Sequence, residues 1–112
     1  MHRLCREDSR IADVGAQPFI LSAMLRALGY EVVAIDVEPE LYIDIAKRFN
    51  IRVIKSDLER DRIEVPDEYF NCVVLSEVLE HLNPYYVKFA LSEINRILRK
   101  EGVLILTTPN IA

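Results

Sequence analysis

Glycine, cysteine and long apolar runs are scarce in this chain of 112 residues. No run of ~18 uninterrupted apolar residues occurs, which predicts that no segment spans a membrane. The opening MHRLCREDSR also lacks the apolar core of a secretory signal peptide. The two cysteines, Cys5 and Cys72, lie far apart, and Cys72 sits in an apolar strand pattern. We therefore expect Cys72 to be a buried, reduced thiol rather than half of a disulfide, and the protein to be cytoplasmic.

The net charge, the composition and the length limit which kinds of protein this chain can be. The formal net charge of −4 weighs against a general nucleic-acid-binding surface. Hydrophobic residues make up 51% of the chain, which argues against disorder and suits one modest domain with one core. Because no linker, repeat or low-complexity tract interrupts the sequence, we expect a tail over residues 1–10 and a single domain over residues 11–112.

Short apolar strand patterns alternate with helical ones along the domain. The strand patterns lie at Ile11–Val14, Glu31–Ile35, Arg52–Ile54, Asn71–Leu75 and Val103–Thr107. Helix-ending residues follow the helical patterns at Gly29, Asn50 and Gly102. This alternation predicts an α/β fold, a doubly wound and mostly parallel sheet with strand order 3-2-1-4-5. Its ligand crevice is expected between strands 1 and 4.

The helical patterns also predict which side chains face the core. In the first helix Leu21, Met24, Leu25 and Leu28 recur at helical spacing. The third helix carries a longer apolar stripe that we expect to be buried, formed by Val87, Ala90, Leu91, Ile94, Ile97 and Leu98. The charged segment Leu58–Tyr69 has no such periodicity and is interpreted as a surface loop.

An acidic residue stands at the carboxyl end of each of the first three strands, namely Asp13, Asp36 and Asp57. Such ends meet at one edge of a parallel sheet, where ligands bind. Asp36 is placed to accept hydrogen bonds from a ribose diol, and Asp57 from an exocyclic amine. Simpler explanations stay open, since Asp13 and Asp36 could cap the helices that follow them and Asp57 could be a solvated loop acid.

The first loop has too few glycines to cradle a phosphate. Of a G-x-G-x-x-G fingerprint only Gly15 is present, because Gln17 and Ile20 occupy the other glycine positions and Phe19 is bulky. Asp13 beside this loop would repel an anion and favour a ligand that carries positive charge. A nicotinamide-dependent dehydrogenase is therefore a poor interpretation.

The fourth strand runs into SEVLEHL, in which Glu77, Glu80 and His81 would share one face of a helical turn. Two carboxylates and an imidazole can hold a divalent metal, or His81 can act as a general base near neutral pH. The other histidine, His2, lies in the tail, so a fourth ligand is not evident. We favour solvent-facing glutamates and a locally hydrogen-bonded His81 over a metal site.

Three stretches resemble the Rossmann-like, class I S-adenosylmethionine-dependent methyltransferases, whose sheet opens with D-x-G-x-G. They are ADVGAQPF with VVAIDVEPE, then IKSDLE, then the block from FNCVVLSEVLEHL to GVLILTTPN, which is the most specific. The resemblance covers nearly all of residues 11–110 and implies S-adenosylmethionine as cofactor. By the resemblance, Asp13, Gly15 and Ala16 would contact the methionine part of the cofactor, and Asp36 would bind its ribose. Asp57 and the backbone of Leu58 would contact the adenine. Ser76 and Glu77 would line the pocket beside the sulfonium.

Two departures from the family pattern stand out. Gln17 and Phe19 occupy positions where the family has small residues, which would weaken or reshape cofactor binding. The family's sheet continues with an antiparallel pair of strands, whereas this sequence stops at Ala112. We expect either self-association along the exposed edge Val103–Thr107 or a longer parent protein.

The sequence thus predicts a methyltransferase that acts on a small-molecule or other nucleophile, with His81 as the base if the acceptor is a hydroxyl. The alternative is a catalytically silent module that keeps the fold and serves in binding or oligomerisation. A minor possibility is a metal site at Glu77, Glu80 and His81, since small-RNA 3′-terminal 2′-O-methyltransferases use an E-x-x-E-H segment as ligands.

Overall fold

A computed structural model describes residues 9–16, 19–76 and 82–107. Its sheet has five strands in the order β3-β2-β1-β4-β5, and the paired strands run parallel, as predicted. The strands are β1 (Arg10–Val14), β2 (Glu31–Asp36), β3 (Arg52–Lys55), β4 (Phe70–Ser76) and β5 (Leu98–Thr107). The helices are α1 (Ile20–Ala27), α2 (Ile43–Arg48, after a 3₁₀ turn at Pro39–Tyr42) and α3 (Pro84–Ile97).

The core lies on both faces of the sheet, because neighbouring residues of a strand point to opposite sides. Ile11 of β1 packs beneath α1 with Leu25, whereas Val14 packs with Ile94 and Ile97 of α3 on the other face. Cys72 is fully buried under α1. Among the described residues no helix is long and apolar enough to cross a bilayer.

The first two helices end as the sequence predicts. Gly29 has φ +100° and Asn50 has φ +57°, the left-handed conformation that follows a helix end. In each case the next residue closes the last turn, with the N–H of Tyr30 donating to Leu25 at 3.1 Å and that of Ile51 to Ala46 at 2.8 Å. These closed ends direct the chain back into β2 and β3.

The predicted inner face of α1 is partly wrong. Met24 and Leu28 are each 59% exposed, and the fully enclosed positions are Ser22 and Leu25. The inner face of α1 thus includes a polar residue, and the Ser22 hydroxyl has a hydrogen-bond partner on β1. In α3, similarly, Leu91 is 40% exposed although Ala90 and Ile94 are buried as expected.

The sequence pattern predicted that Gly102 ends α3, and this prediction is wrong. The helix stops at Ile97, and Leu98 already pairs with Phe70 of β4. The next pair is Cys72 with Val103, so residues 99–102 bulge out of the ladder. A Cβ at Gly102 would lie 2.6 Å from Leu98 Cδ1 and 2.9 Å from the Asn71 carbonyl oxygen, and the lack of a side chain allows this close approach.

The segment between β3 and β4 is irregular, as expected, but it is not merely a surface loop. Ile63 is fully buried and Val65 nearly so, beneath α3. Arg96 of α3 donates to the carbonyls of Ile63 at 2.7 Å and Val65 at 2.9 Å, and Glu93 accepts from the Ile63 N–H at 2.8 Å. Glu93 and Arg96 also pair with each other at 2.9 Å, so this ion pair fastens the segment to the helix.

Replacing Gly102 with alanine is expected to lower the free energy of unfolding by about 1–3 kcal/mol, because the new methyl group overlaps backbone oxygen and Leu98. Urea denaturation of both proteins measures the difference. Glu101→Ala, at the exposed neighbouring position, should change stability by no more than about 0.5 kcal/mol. Equal effects at both positions would contradict the close-approach explanation.

Replacing Glu93 with glutamine should destabilise the protein by about 3 kcal/mol, because it removes the buried charge partner of Arg96 and leaves only the exposed carboxylate of Asp67 to pair with it. The Arg96 hydrogen bond lowers the pKa of Glu93 below its ordinary 4.5. The stability supplied by ionised Glu93 is therefore present above that ordinary value and is lost as pH falls through the lower folded value.

Denaturation at several pH values tests this directly, since Glu93→Gln should lose part of the acid-side fall in stability. Asp67→Asn is the matched control, because the Asp67 side chain is 68% exposed and its ion pair with Arg96 is expected to contribute at most about 1 kcal/mol. A larger loss of unfolding free energy from Asp67→Asn than from Glu93→Gln would contradict the view that the buried ion pair is what mainly attaches this segment to α3.

Candidate functional site

Three neighbouring strands present Gly15, Asp36 and Ser76 in one row at the carboxyl edge of the sheet. Val14 pairs in register with Ile35 on β2 and Leu75 on β4, and the row follows these residues by one position. The Gly15 N–H extends the ladder by donating to the Ile35 carbonyl at 2.9 Å. Gly15 has φ +75°, a conformation that glycine adopts without strain, so the chain turns sharply away from β1 at this row.

Asp13 lies just below this row and is almost fully buried, at 1% exposure. Its cross-strand neighbours are Ala34 on β2 and Val74 on β4, both apolar. Oδ2 accepts a 2.6 Å hydrogen bond from the Ser22 hydroxyl, whereas Oδ1 has no hydrogen-bond partner in the described part of the chain. Asp13 is thus a carboxylate held in an otherwise apolar slot by Ser22, a residue of the first turn of α1.

Burial is the main cause that raises the pKa of Asp13 above its ordinary 3.8. The hydroxyl and the backbone N–H of Ser22 oppose that effect, and the nearby negative charge of Asp36 adds to it. Ionised Asp13 is therefore costly to the folded protein, and a positive charge near this edge would reduce that cost.

Asp36 ends β2 and is 7% exposed. Its Oδ1 accepts from the Glu38 N–H at 3.0 Å, and its carbonyl accepts from the Ser56 N–H at 2.9 Å. The position before the 3₁₀ turn is occupied by Glu38, so Asp36 shapes the turn after β2 and is not the N-cap that one interpretation suggested. Its carboxylate stays at the edge row, beside Asp13 and Gly15.

Asp57 follows β3 by two residues and is half-buried. Its Oδ1 accepts from the Glu59 N–H at 3.0 Å, so the carboxylate is part of a tight turn. Leu58 packs against the core on the α3 face.

Ser56, which the sequence reasoning missed, precedes Asp57 and donates its backbone N–H to the Asp36 carbonyl. Its side chain is buried, at 3% exposure, and its Oγ has no hydrogen-bond partner in the described residues. The only signal for Ser56 was its place between a strand and an acid.

The bulky Phe19 does not crowd the edge row. It takes φ +72°, the conformation that a glycine would adopt here, and its side chain is fully buried with Ala34, Ala46 and Ile51. Ala16 is buried in the same cluster. Of the two bulky residues in the first loop, Phe19 is therefore accommodated in the core. Gln17 lies outside the described residues.

The proposed base and metal ligands cannot be placed in the site. Glu77, Glu80 and His81 lie outside the described residues. Within residues 9–16, 19–76 and 82–107, no group of three or more His, Cys, Asp or Glu side chains is arranged to hold a metal ion.

Two cavities open at the opposite, amino edge of the sheet. Both are lined by Ser9, Asn71 and Arg99, and their volumes are about 480 and 540 Å³. Beside them Arg10 stacks on the Tyr69 ring at 4.0 Å from its centre. In parallel sheets ligands bind at the carboxyl edge, so we place the candidate site at the row of Gly15, Asp36 and Ser76 rather than in these cavities.

Comparisons with known proteins agree with this geometry. Residues 12–106 match the family described as a methyltransferase domain. An S-adenosylmethionine-dependent methyltransferase from Methanosarcina mazei aligns with TM-score 0.83 at 23% identity, over 94% of this chain and 54% of that one. A TehB-like S-adenosylmethionine-dependent methyltransferase from Corynebacterium glutamicum aligns with TM-score 0.77 at 28% identity, over 88% and 53%.

A 1,6-didemethyltoxoflavin-N1-methyltransferase from Burkholderia thailandensis, crystallised with 1,6-didemethyltoxoflavin and S-adenosylhomocysteine, aligns with TM-score 0.75 at 22% identity, over 88% of this chain and 44% of that one. The chain thus spans about half the length of these solved structures. No curated protein matches it. On the family match and the shared fold, the chain belongs to the class I S-adenosylmethionine-dependent methyltransferases.

Proposed function

We propose that this chain is the cofactor-binding part of a methyltransferase that acts on a small-molecule nucleophile. The observation that supports this most directly is that Asp13 and Asp36 lie on neighbouring strands at the carboxyl edge, where the charge of Asp36 acts on Asp13, next to a glycine turn with no phosphate-binding fingerprint. S-adenosylmethionine carries no phosphate but has a sulfonium and an ammonium, so neighbouring carboxylates favour it electrostatically. The residues proposed to bind it are Asp13, Gly15, Ala16, Asp36, Asp57, Leu58, Ser76 and Glu77.

The donors and acceptors at this edge fit the cofactor. A carboxylate offers about four lone-pair sites, so Asp36 can accept from a ribose diol while Oδ1 also receives the Glu38 N–H. Asp57 retains acceptor capacity in the same way and lies where an adenine amine would be read. The buried Oδ1 of Asp13 lacks a hydrogen-bond partner in the described residues, which supports a nearby cationic group in the working protein.

The bound cofactor supplies a methyl group on a positively charged sulfur, which is displaced in line by the acceptor. The residues of this chain bind and orient the cofactor, and correct positioning alone can supply much of the rate acceleration. We propose that His81 accepts the proton when the acceptor is a hydroxyl, because an imidazole titrates near neutral pH. A catalytically silent module remains the alternative, and turnover of small-molecule acceptors by the full-length protein decides between the two.

Pairing of β5 with a second copy, or with a further segment of a longer parent protein, also belongs to the proposal. β5 is an edge strand, and its Leu104 and Leu106 are 40% and 53% exposed.

Titration with S-adenosylhomocysteine tests the cofactor site. Asp36→Asn retains an acceptor for the Glu38 N–H but loses charge and one ribose acceptor, so its affinity should fall about tenfold or more. Asp44→Asn, an exposed carboxylate on α2, should bind like the wild type. A wild type with no affinity for S-adenosylhomocysteine or S-adenosylmethionine would sink the proposed function.

Asp13→Asn is expected to alter the pH dependence of stability in a defined direction. Because the folded pKa of Asp13 is raised above 3.8, its contribution to stability falls as pH rises from 3.8 through the folded value. The asparagine variant should therefore lose less unfolding free energy between about pH 4 and about pH 7 than the wild type does.

The same substitution should weaken binding of S-adenosylhomocysteine by about tenfold, since it removes a buried charge from the edge. Urea denaturation at both pH values and calorimetric titration give the two readouts, with Asp44→Asn again as the control. If unfolding free energy varied with pH identically in wild type and Asp13→Asn, ionised Asp13 would not destabilise the folded protein as inferred.

A further inference from the structure

Ser22 is a polar residue at a position where a helix normally buries an apolar one. It lies within α1, faces the sheet and is fully buried, beside Leu25 on the same inner face. Burying a hydroxyl is unfavourable unless it makes a hydrogen bond. The Ser22 hydroxyl makes one of 2.6 Å to Oδ2 of Asp13, the shortest range for such a bond and typical of a charged acceptor.

The surroundings make Asp13 depend on that hydrogen bond. The facing residues on β2 and β4 are Ala34 and Val74, which offer no polar side chain. The charged group that acts on Asp13 from β2 is Asp36, and its negative charge disfavours ionisation of Asp13. α1 contributes Ser22, whose hydroxyl and backbone N–H favour the ionised form.

We propose that Ser22 is a positioning residue for cofactor binding: its hydroxyl holds the Asp13 carboxylate ionised beneath the Gly15 turn, where the charge attracts the cationic end of S-adenosylmethionine. This inference rests on the proposed function and adds to it a residue that the cofactor need not touch. Its basis is the 2.6 Å hydrogen bond, the burial of both side chains and the apolar flanks of Asp13.

A specific pH signature follows. Without the hydroxyl, Asp13 takes up a proton at higher pH, because one of the groups that stabilise its ionised form is gone. A neutral carboxyl group does not attract a cation. Ser22→Ala should therefore bind S-adenosylhomocysteine about tenfold more weakly than wild type at the acid end of a pH series, and the difference should shrink to within about twofold as pH rises and Asp13 ionises in both proteins.

The experiment has one arm without ligand and one with it. Carbon-13 NMR of the Asp13 carboxyl group in the ligand-free protein gives its titration midpoint, which should move upward in Ser22→Ala. Calorimetric titration with S-adenosylhomocysteine over the same pH series gives the ratio of the wild-type and variant affinities at each pH. Ser92→Ala, an exposed serine-to-alanine change on α3, is the matched control and should move neither readout.

The outcomes separate this inference from the proposed function. Equal Asp13 midpoints in wild type and Ser22→Ala would overturn the inference whatever the cofactor does. A Ser22→Ala affinity lowered by the same factor at every pH would also overturn it, because that pattern reports only altered packing. A wild type that binds nothing would overturn the proposed function and the binding role of Ser22 with it.

A double variant tests whether the effect of Ser22 passes through Asp13. In an Asp13→Asn background there is no carboxylate for Ser22 to hold, so adding Ser22→Ala should produce no further pH-dependent change in affinity. A pH-dependent change that persists in this background would assign the effect to another group and contradict the inference.

Discussion

The hydrogen bond between Ser22 and Asp13 joins the first helix to the first strand, and much of the arrangement of the carboxyl edge depends on it. It gives the buried hydroxyl of Ser22 a partner, whereas Met24 and Leu28 of the same helix are largely exposed. It also holds an acidic side chain in a slot where hydrophobic neighbours would otherwise favour a neutral one. The protein accepts an energetic cost at this position, and such costs are common where a ligand later supplies the missing charge.

The sheet places the rest of the site with little freedom. In-register parallel pairing brings the ends of β1, β2 and β4 to one level, and the left-handed residues after α1 and α2 return the chain to the sheet at the required points. Small changes at this edge would therefore require shifts of whole strands, which a close-packed core resists.

Much of this was predictable from the sequence, and the reasons are local. Strand patterns and helix-ending residues such as Gly29 and Asn50 depend on neighbouring residues, so the strand order followed from them. The burial of Ser22 in α1 accompanies a contact between residues nine positions apart, Asp13 and Ser22, and no periodicity reports such a contact. The Gly102 bulge was missed for a related reason: glycine after a helical pattern indicates a helix end, whereas here close approach of β4 decided its role.

The ion pair of Glu93 and Arg96 was likewise invisible in the sequence, since an acid and a base three positions apart on a helix are usually solvated. In the folded chain they hold the backbone of the irregular segment between β3 and β4 through hydrogen bonds to Ile63. A stretch bound to a helix by charge-assisted hydrogen bonds moves with that helix and is poorly suited to act as a hinged lid.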